Sequence, residues 1–176
     1  NIETCLHFID RLNYPKEKLQ VLIGNDRSED QTEKLVNDFI LHKPHMQLIS
    51  ITGTTGKAQG KANVLAQLAH YATGEFFFIT DADIRVNANW IKSLLAEFEE
   101  GTGIVSGTTL ATGTTWFERM QAIDWTYFSG MLVGITTAGL PCTAIGNNMV
   151  VKREAYFSTG GYEALDFSVT EDYKLY

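Results

Sequence analysis

Cysteine is scarce. The 176-residue chain has two, Cys5 and Cys142, far apart and without a pairing pattern. That excludes a disulfide scaffold and fits two buried thiols in a reducing compartment. Basic charge is scarce too: 14 Lys and Arg against 21 Asp and Glu leave a formal net charge of −7. This balance argues against unaided binding to nucleic acid or to an anionic membrane surface, so a polyanionic ligand would need a cation or a local cluster of Lys and Arg. No apolar run in this stretch reaches the length of a transmembrane span, and no signal-peptide pattern is present. Internal repeats and low-complexity linkers are missing as well. What is there is ordinary globular composition, 44% hydrophobic and 20% charged, at a length that bounds one domain with a good core.

One stretch stands out, Glu75-Phe76-Phe77-Phe78-Ile79-Thr80-Asp81-Ala82-Asp83. Four consecutive apolar residues, Phe76 to Ile79, read as a fully buried strand. Carboxylates are not tolerated inside such a core, so the chain must emerge at Thr80 or Asp81. Asp81 and Asp83, one residue apart, can project to the same side of an extended segment. A hard divalent cation with oxygen ligands is the common way to satisfy two like charges held that close. The plainer alternative is that Asp83 or Asn87 caps the following helix.

In chain order, Ile2 to Leu12 carries a helical stripe of Ile2, Cys5, Leu6, Ile9 and Leu12, ended by Asn13-Tyr14-Pro15. Leu19 to Ile23 is a short strand, followed by the polar loop Asn25–Asp30. A helix over Gln31 to His42 turns Leu35, Val36, Phe39 and Ile40 inward, and Pro44 breaks it. Met46 to Ile51 form a strand, Thr52 to Gly60 a Gly- and Thr-rich loop, and Lys61 to Tyr71 a helix with Val64, Leu65 and Leu68 as its stripe. After the Phe76 strand, a helix over Ala88 to Glu99 buries Trp90, Ile91, Leu94, Leu95 and Phe98. Strand and helix alternate, which implies a parallel sheet covered on both faces, with ligands beyond the carboxyl ends of the strands. That rule gathers Asn25–Asp30, Thr52–Gly60 and the Asp81/Asp83 pair on one rim.

The second half differs. Ile104 to Leu110 reads as a strand rich in Thr and Ser. Thr115 to Val133 is a long helix carrying Trp116, Phe117, Met120, Ile123, Trp125, Tyr127, Phe128, Met131 and Leu132, which is expected to pack as core on the sheet or on a missing segment. Gly146-Asn147-Asn148 precedes the strand Met149–Val151, then come Lys152-Arg153, the turn Gly160-Gly161-Tyr162, and a helix start at Thr170-Glu171-Asp172.

Over nearly its whole length the chain resembles the family 2 glycosyltransferases with the GT-A fold. The resemblance is carried by Asn25-Asp26-Arg27-Ser28-Glu29-Asp30-Gln31-Thr32, similar to the family's Asp-Asp-Gly-Ser-Thr-Asp-Gly-Thr loop. Gly60-Lys61-Ala62, Gly74-Glu75, Asp81-Ala82-Asp83, Gly146-Asn147-Asn148, Lys152-Arg153-Glu154, Gly160-Gly161-Tyr162 and Thr170-Glu171-Asp172-Tyr173 continue it in order. The combination and spacing are specific, although each motif alone is weak. The resemblance implies an α/β, Rossmann-like, mostly parallel sheet flanked by helices, forming a single catalytic domain over 1–176. Its nucleotide-binding half would cover about 1–100 and its acceptor-side half about 101–176.

It also implies roles. Asp26 would accept from the N–H of a nucleotide base, uracil above all, where the plainer alternative is an Asx-turn. Lys61 would lie near the diphosphate, or else be a solvated first-turn residue. Asp81 would reach the ribose or share the metal, and Asp83 would ligate Mg²⁺ or Mn²⁺. Asn147 and Asn148 would face donor or acceptor sugar, or satisfy loop backbone. Asp172 would be the catalytic base, with Glu171 the second candidate and dipole pairing in a first helical turn the alternative. The implied partners are a UDP-sugar or other nucleotide-diphosphate sugar and a sugar or lipid-linked acceptor, with no nucleic acid. One displacement with one base predicts inversion at the anomeric carbon.

The chain departs from the family pattern in three respects. Asn25 replaces the first acidic residue of the loop. Leu65-Ala66 stands where Leu-Asn is common, with Asn63 nearby. The family's first strand, in the middle of the sheet, is missing, as is the segment after Asp172. The native protein is therefore expected to extend at both ends. The Thr-Glu-Asp-Tyr ending is similar to cellulose-synthase-like, processive members whose catalytic domain lies on the cytosolic face of a membrane. Rival readings are a nucleotidyltransferase, a non-catalytic phospho-acceptor domain, and a degenerate transferase that only binds.

Overall fold

Strand and helix alternate along the chain as α1 Ile2–Asp10, β1 Val21–Asn25, α2 Thr32–Ile40, β2 Met46–Ser50, α3 Gly60–Tyr71, β3 Phe76–Thr80 and α4 Trp90–Leu95. They are followed by β4 Ile104–Ser106, α5 Trp116–Thr137, β5 Asn148–Lys152 and α6 Arg153–Ser158. The structure, a computed structural model, describes residues 1–140 and 144–164. Cys142, Glu171 and Asp172 lie outside the described residues.

Two ladders form. β1 and β2 pair in parallel, from Val21 opposite Met46 to Asn25 opposite Ser50. β5 lies between β3 and β4 and runs antiparallel to both, with Thr80 opposite Asn148 and Ser106 opposite Met149. The α/β architecture with flanking helices agrees with expectation. The parallel sheet extends only over β1 and β2, because β3 pairs with a strand some seventy residues downstream, which early periodicity does not announce.

β5 is the spine of the core. Met149, Val150 and Val151 are all buried, and successive side chains point to opposite faces. Val150 packs with Cys5 and Ile9 of α1 and with Trp90, Ile91 and Leu94 of α4. Met149 and Val151 pack with Ala62, Ala66 and Ala69 of α3 and with Tyr156 and Tyr162. Burying each such aliphatic side chain contributes about 1.5–3 kcal/mol.

Several elements differ from the sequence expectation. β1 begins at Val21 rather than Leu19, regular helix α4 covers only Trp90–Leu95, and β4 has three residues. In α2, Val36 is buried but Leu35 is exposed. In α3 the buried face is Ala62, Asn63, Ala66 and Ala69, whereas Val64, Leu65 and Leu68 are half-buried. The larger correction concerns α5. It does not pack as core: Trp116 and Tyr127 are each 76% exposed, and Ser129 is its buried residue. Apolar residues at 116, 117, 120, 123, 127, 128 and 131 share one side of the helix, and among the described residues that side remains exposed rather than packed on the sheet.

Among the described residues, β1 pairs with β2 alone and β3 with β5 alone, which leaves each with an open edge. Both strands line one cavity of about 800 Å³, walled also by Cys5 and Leu6 of α1 and by Val64 and Leu68 of α3. At one end the Gln20 side chain binds the Tyr71 carbonyl at 3.0 Å and the Thr73 amide at 2.8 Å. At the other end Asp26 and Asp81 face the cavity. The two strands therefore cross it in the same direction. The resemblance expects a further strand in the middle of the sheet, and this cavity has a strand on either side. Gly24 lets α3 lie close to β1, since a Cβ there would collide with Val64.

Candidate functional site

The site lies at the rim where β1 and β3 end. Asn25, the last residue of β1, is buried. Its Oδ1 accepts from the Ser28 amide at 3.0 Å and its Nδ2 donates to Glu33 at 3.1 Å. The residue standing where the family has an acid is thus a brace that shapes the loop after β1. Asp26 follows, exposed, with Arg27 Nε at 3.2 Å from its Oδ1. Arg27 adopts a left-handed backbone, φ 58°, which turns the loop outward. Farther along, hydrogen bonds from the Thr32 side chain and amide hold the Asp30 carboxyl below its ordinary pKa at the start of α2.

The loop after β2 is organised from α3. Buried Asn63 accepts from the Thr55 amide at 2.8 Å and donates to the Gly53 carbonyl at 2.9 Å. Gln67, one turn later, donates to the carbonyls of Thr52 at 3.2 Å and Gly53 at 3.3 Å. On the far side, the Lys57 amide donates to the Glu163 carbonyl at 3.0 Å, and His70 contacts the Glu163 carboxylate. This loop is therefore tied to the 3-10 turn Gly161–Ala164.

Lys61 stands in the first turn of α3, and its Nζ lies 2.6 Å from Asp81 Oδ1. The Cys5 thiol, buried beneath, donates to the Asp81 carbonyl at 3.5 Å. Burial first, then the carboxylates of Asp83 and Asp81, push its pKa up to about 11. Asp83 is exposed and does not cap α4, whose N-cap is Asn89. Asn87 Oδ1 instead accepts from the Asn89 amide at 2.9 Å. Thr80, also facing the cavity, has a buried hydroxyl without a partner.

Antiparallel pairing brings the start of β5 to the same rim, because Asn148 lies opposite Thr80. Asn148 is engaged: its Oδ1 accepts from Trp90 Nε1 at 2.8 Å and its Nδ2 donates to the Thr108 carbonyl at 3.2 Å. Asn147 Oδ1 accepts from the Thr109 hydroxyl at 2.8 Å. Both amides brace α4 and the segment after β4.

Asp26, Lys61 and Asp81 therefore face one cavity, with Asp83, Asn147 and Asn148 beside them. Sequence reasoning missed Cys5, Gln67 and the Glu163 contacts. Asn63 and Gln67 were detectable as amides one turn apart on an apolar helix. Asp81 and Asp83 supply carboxylate oxygens, the donor chemistry a hard cation takes. Among the described residues no group of three His, Cys, Asp or Glu could hold a metal. Two carboxylates alone are an incomplete ligand set for a hard cation, so any such ion would need further oxygen ligands from outside this group. No helix among the described residues is long and apolar enough to cross a membrane.

Comparison with known proteins identifies the family and the fold. The chain is 25% identical over 179 residues to the probable glycosyltransferase YdaM of Bacillus subtilis (strain 168), covering 99% of this chain and 42% of the relative. It is 22% identical to the uncharacterized glycosyltransferase YkcC of the same organism, covering 98% of this chain and 47% of that protein. The chain thus spans less than half the length of these curated relatives. The fold is similar to that of S. aureus TarS 1-349 in complex with UDP-GlcNAc, with TM-score 0.64 and 16% identity, over 99% of this chain and 50% of that one. The TarS complex with UDP gives a TM-score of 0.59 at 15% identity, covering 99% of this chain and 49% of that one. Residues 1–169 match the model of Glycosyl transferase family 2, and the chain belongs to that family.

Proposed function

We propose that this domain transfers a sugar from a nucleotide-diphosphate sugar, a UDP-sugar first among them, to an acceptor hydroxyl with inversion at the anomeric carbon. The observation that carries the reading is the meeting of Asp26, Lys61 and Asp81, from three separate elements, at one rim of one cavity. Asp26 accepts from the base, and the ammonium of Lys61 faces the diphosphate. The first turn of α3 supports it, since that turn has no acidic residue and its N-cap no side-chain bond. Its free N–H groups and positive dipole end favour an anion.

Asp83, with Asp81, would hold Mg²⁺ or Mn²⁺. When bound, the cation supplies Lewis-acid neutralisation of charge on the departing diphosphate. Asp172 takes the proton from the acceptor hydroxyl as that oxygen attacks, with Glu171 beside it. Asn147 and Asn148 border the donor sugar through the rim they brace. The acceptor is a sugar or lipid-linked sugar, and the longer protein works at the cytosolic face of a membrane through segments outside this chain.

Melting-temperature shifts of the full-length protein with UDP, GDP and dTDP, each with and without Mn²⁺, test the reading. A ligand that binds only the folded form stabilises it by about 2.7 kcal/mol at a hundredfold excess over Kd. The expected result is a Mn²⁺-dependent upward shift with UDP. No Mn²⁺-dependent shift with any of the three would overturn the reading.

A further inference from the structure

Lys61 occupies an unfavourable place in the absence of a partner. A cation in the first turn of a helix meets the positive end of the dipole, and α3 has no acidic residue in that turn to offset it. The partner is Asp81, whose Oδ1 lies 2.6 Å from Lys61 Nζ, with both side chains about a third exposed, 36% and 37%. Asp83 has neither a hydrogen bond nor an ion pair among the described residues, and no third ligand joins the two acids there. One of the two carboxylates suited to a divalent cation is thus already taken by a side chain of the same protein.

Resting on the donor reading above, we propose that Lys61 is an internal counter-ion that holds Asp81 away from the divalent cation until a nucleotide diphosphate draws the ammonium off. Before nucleotide arrives, Lys61 neutralises Asp81, and Asp83 alone is a poor ligand set for a hard cation. A diphosphate is the better partner for Lys61, because it carries more charge and also meets the N-terminus of α3. As Lys61 moves to it, Asp81 Oδ1 is freed and the cation gains its second carboxylate together with phosphate oxygens. Cation and nucleotide therefore assemble together, and each strengthens the other by the same factor.

The test measures Mn²⁺ affinity of the full-length protein without nucleotide, by electron paramagnetic resonance of free Mn²⁺, in wild type, Lys61→Met, Lys61→Arg, Asp81→Asn and the Lys61→Met/Asp81→Asn double variant. Loss of an exposed ion pair predicts that Lys61→Met binds Mn²⁺ roughly two- to fivefold more tightly than wild type. Lys61→Arg keeps the wild-type value. In the Asp81→Asn background the Lys61→Met gain disappears, because the effect passes through that carboxylate. Saturating UDP strengthens Mn²⁺ binding more in wild type than in Lys61→Met. Unchanged or weaker Mn²⁺ binding by Lys61→Met overturns the proposal. A gain that persists in full beside Asp81→Asn also overturns it, since that shows only the general field of a lost charge. If wild type binds no Mn²⁺ even with UDP, the donor reading falls and the proposal with it. A failed Lys61 prediction with UDP and Mn²⁺ binding intact removes the proposal alone.

Discussion

Polar side chains near the rim do two kinds of work, and substitutions separate them. Asn25, Asn63, Gln67 and Asn148 have their amides committed to loop backbone or to neighbouring side chains. Asp26, Lys61, Asp81 and Asp83 have their charged ends at the rim. Asn63→Ala removes hydrogen bonds to Thr55, Gly53 and Gln67 from a buried position, so a loss of stability of about 1–3 kcal/mol is expected. Donor affinity should fall with it as the Thr52–Gly60 loop loosens, readable from chemical denaturation and UDP titration. Unchanged stability would show that Gln67 alone holds the loop. Asp172→Asn is expected to lower turnover by about 10²–10⁴-fold while leaving UDP binding at the wild-type value, as loss of a general base requires. Wild-type turnover in a transfer assay would remove Asp172 from the chemistry. At this scale the sequence was legible in part: Asp26, Lys61 and Asp81 line one cavity, while Asp83 is not among its lining residues. It was not legible for Cys5, whose place beneath the carboxylates depends on α1 packing across the end of β3.

Among the elements, the type of each was readable from its pattern, but the surface it packs against was not. α1 buries its expected face, whereas β3, expected to be fully buried, buries only Ile79 and leaves Phe76, Phe77 and Phe78 half-buried. α5 has the start that its sequence announces, yet the side carrying Trp116, Phe117, Met120, Ile123, Tyr127, Phe128 and Met131 remains exposed among the described residues. Its beginning is secured by a capping box: the Thr115 hydroxyl accepts from the Glu118 amide, and the Glu118 carboxylate accepts from the Thr115 amide. Hydrogen bonds from the Thr115 and Thr114 amides lower the Glu118 pKa from 4.5 to about 2. A folded-state pKa below the unfolded one gives stability that is present above pH 4.5 and lost as pH falls toward about 2. Helix content by circular dichroism is therefore expected to fall across that window, and Glu118→Gln should remove the part of the fall owed to this carboxylate. An identical acid titration in the variant would show that the box does not hold the helix start. At the opposite wall, Gly56 has φ 56°, and a Cβ there would lie 2.5 Å from the Glu163 carbonyl. Gly56→Ala is expected to push that loop off Glu163 and lower Tm, a result that Gly53→Ala, with open space around it, tests for backbone strain alone.

The molecule as a whole is built around β5, with two cores on its faces and a cavity between β1 and β3. Three half-exposed Phe side chains of β3 and the apolar residues of β1 line a space that a further strand would cover. A version of the protein extended before Asn1 is expected to melt higher than the 176-residue chain, by about 2–4 °C for each kcal/mol gained. Equal melting temperatures would mean that the cavity has another occupant. The same cavity opens at the rim that holds Asp26, Lys61 and Asp81. The measurement that bears most directly on this account is calorimetric titration of UDP into the full-length protein, wild type and Asp83→Asn, with and without Mn²⁺. The account predicts that Mn²⁺ tightens UDP binding to wild type and not to Asp83→Asn, while the Mn²⁺-free affinities of the two agree. Equal Mn²⁺ enhancement in both proteins, or no binding of UDP to either, would contradict it.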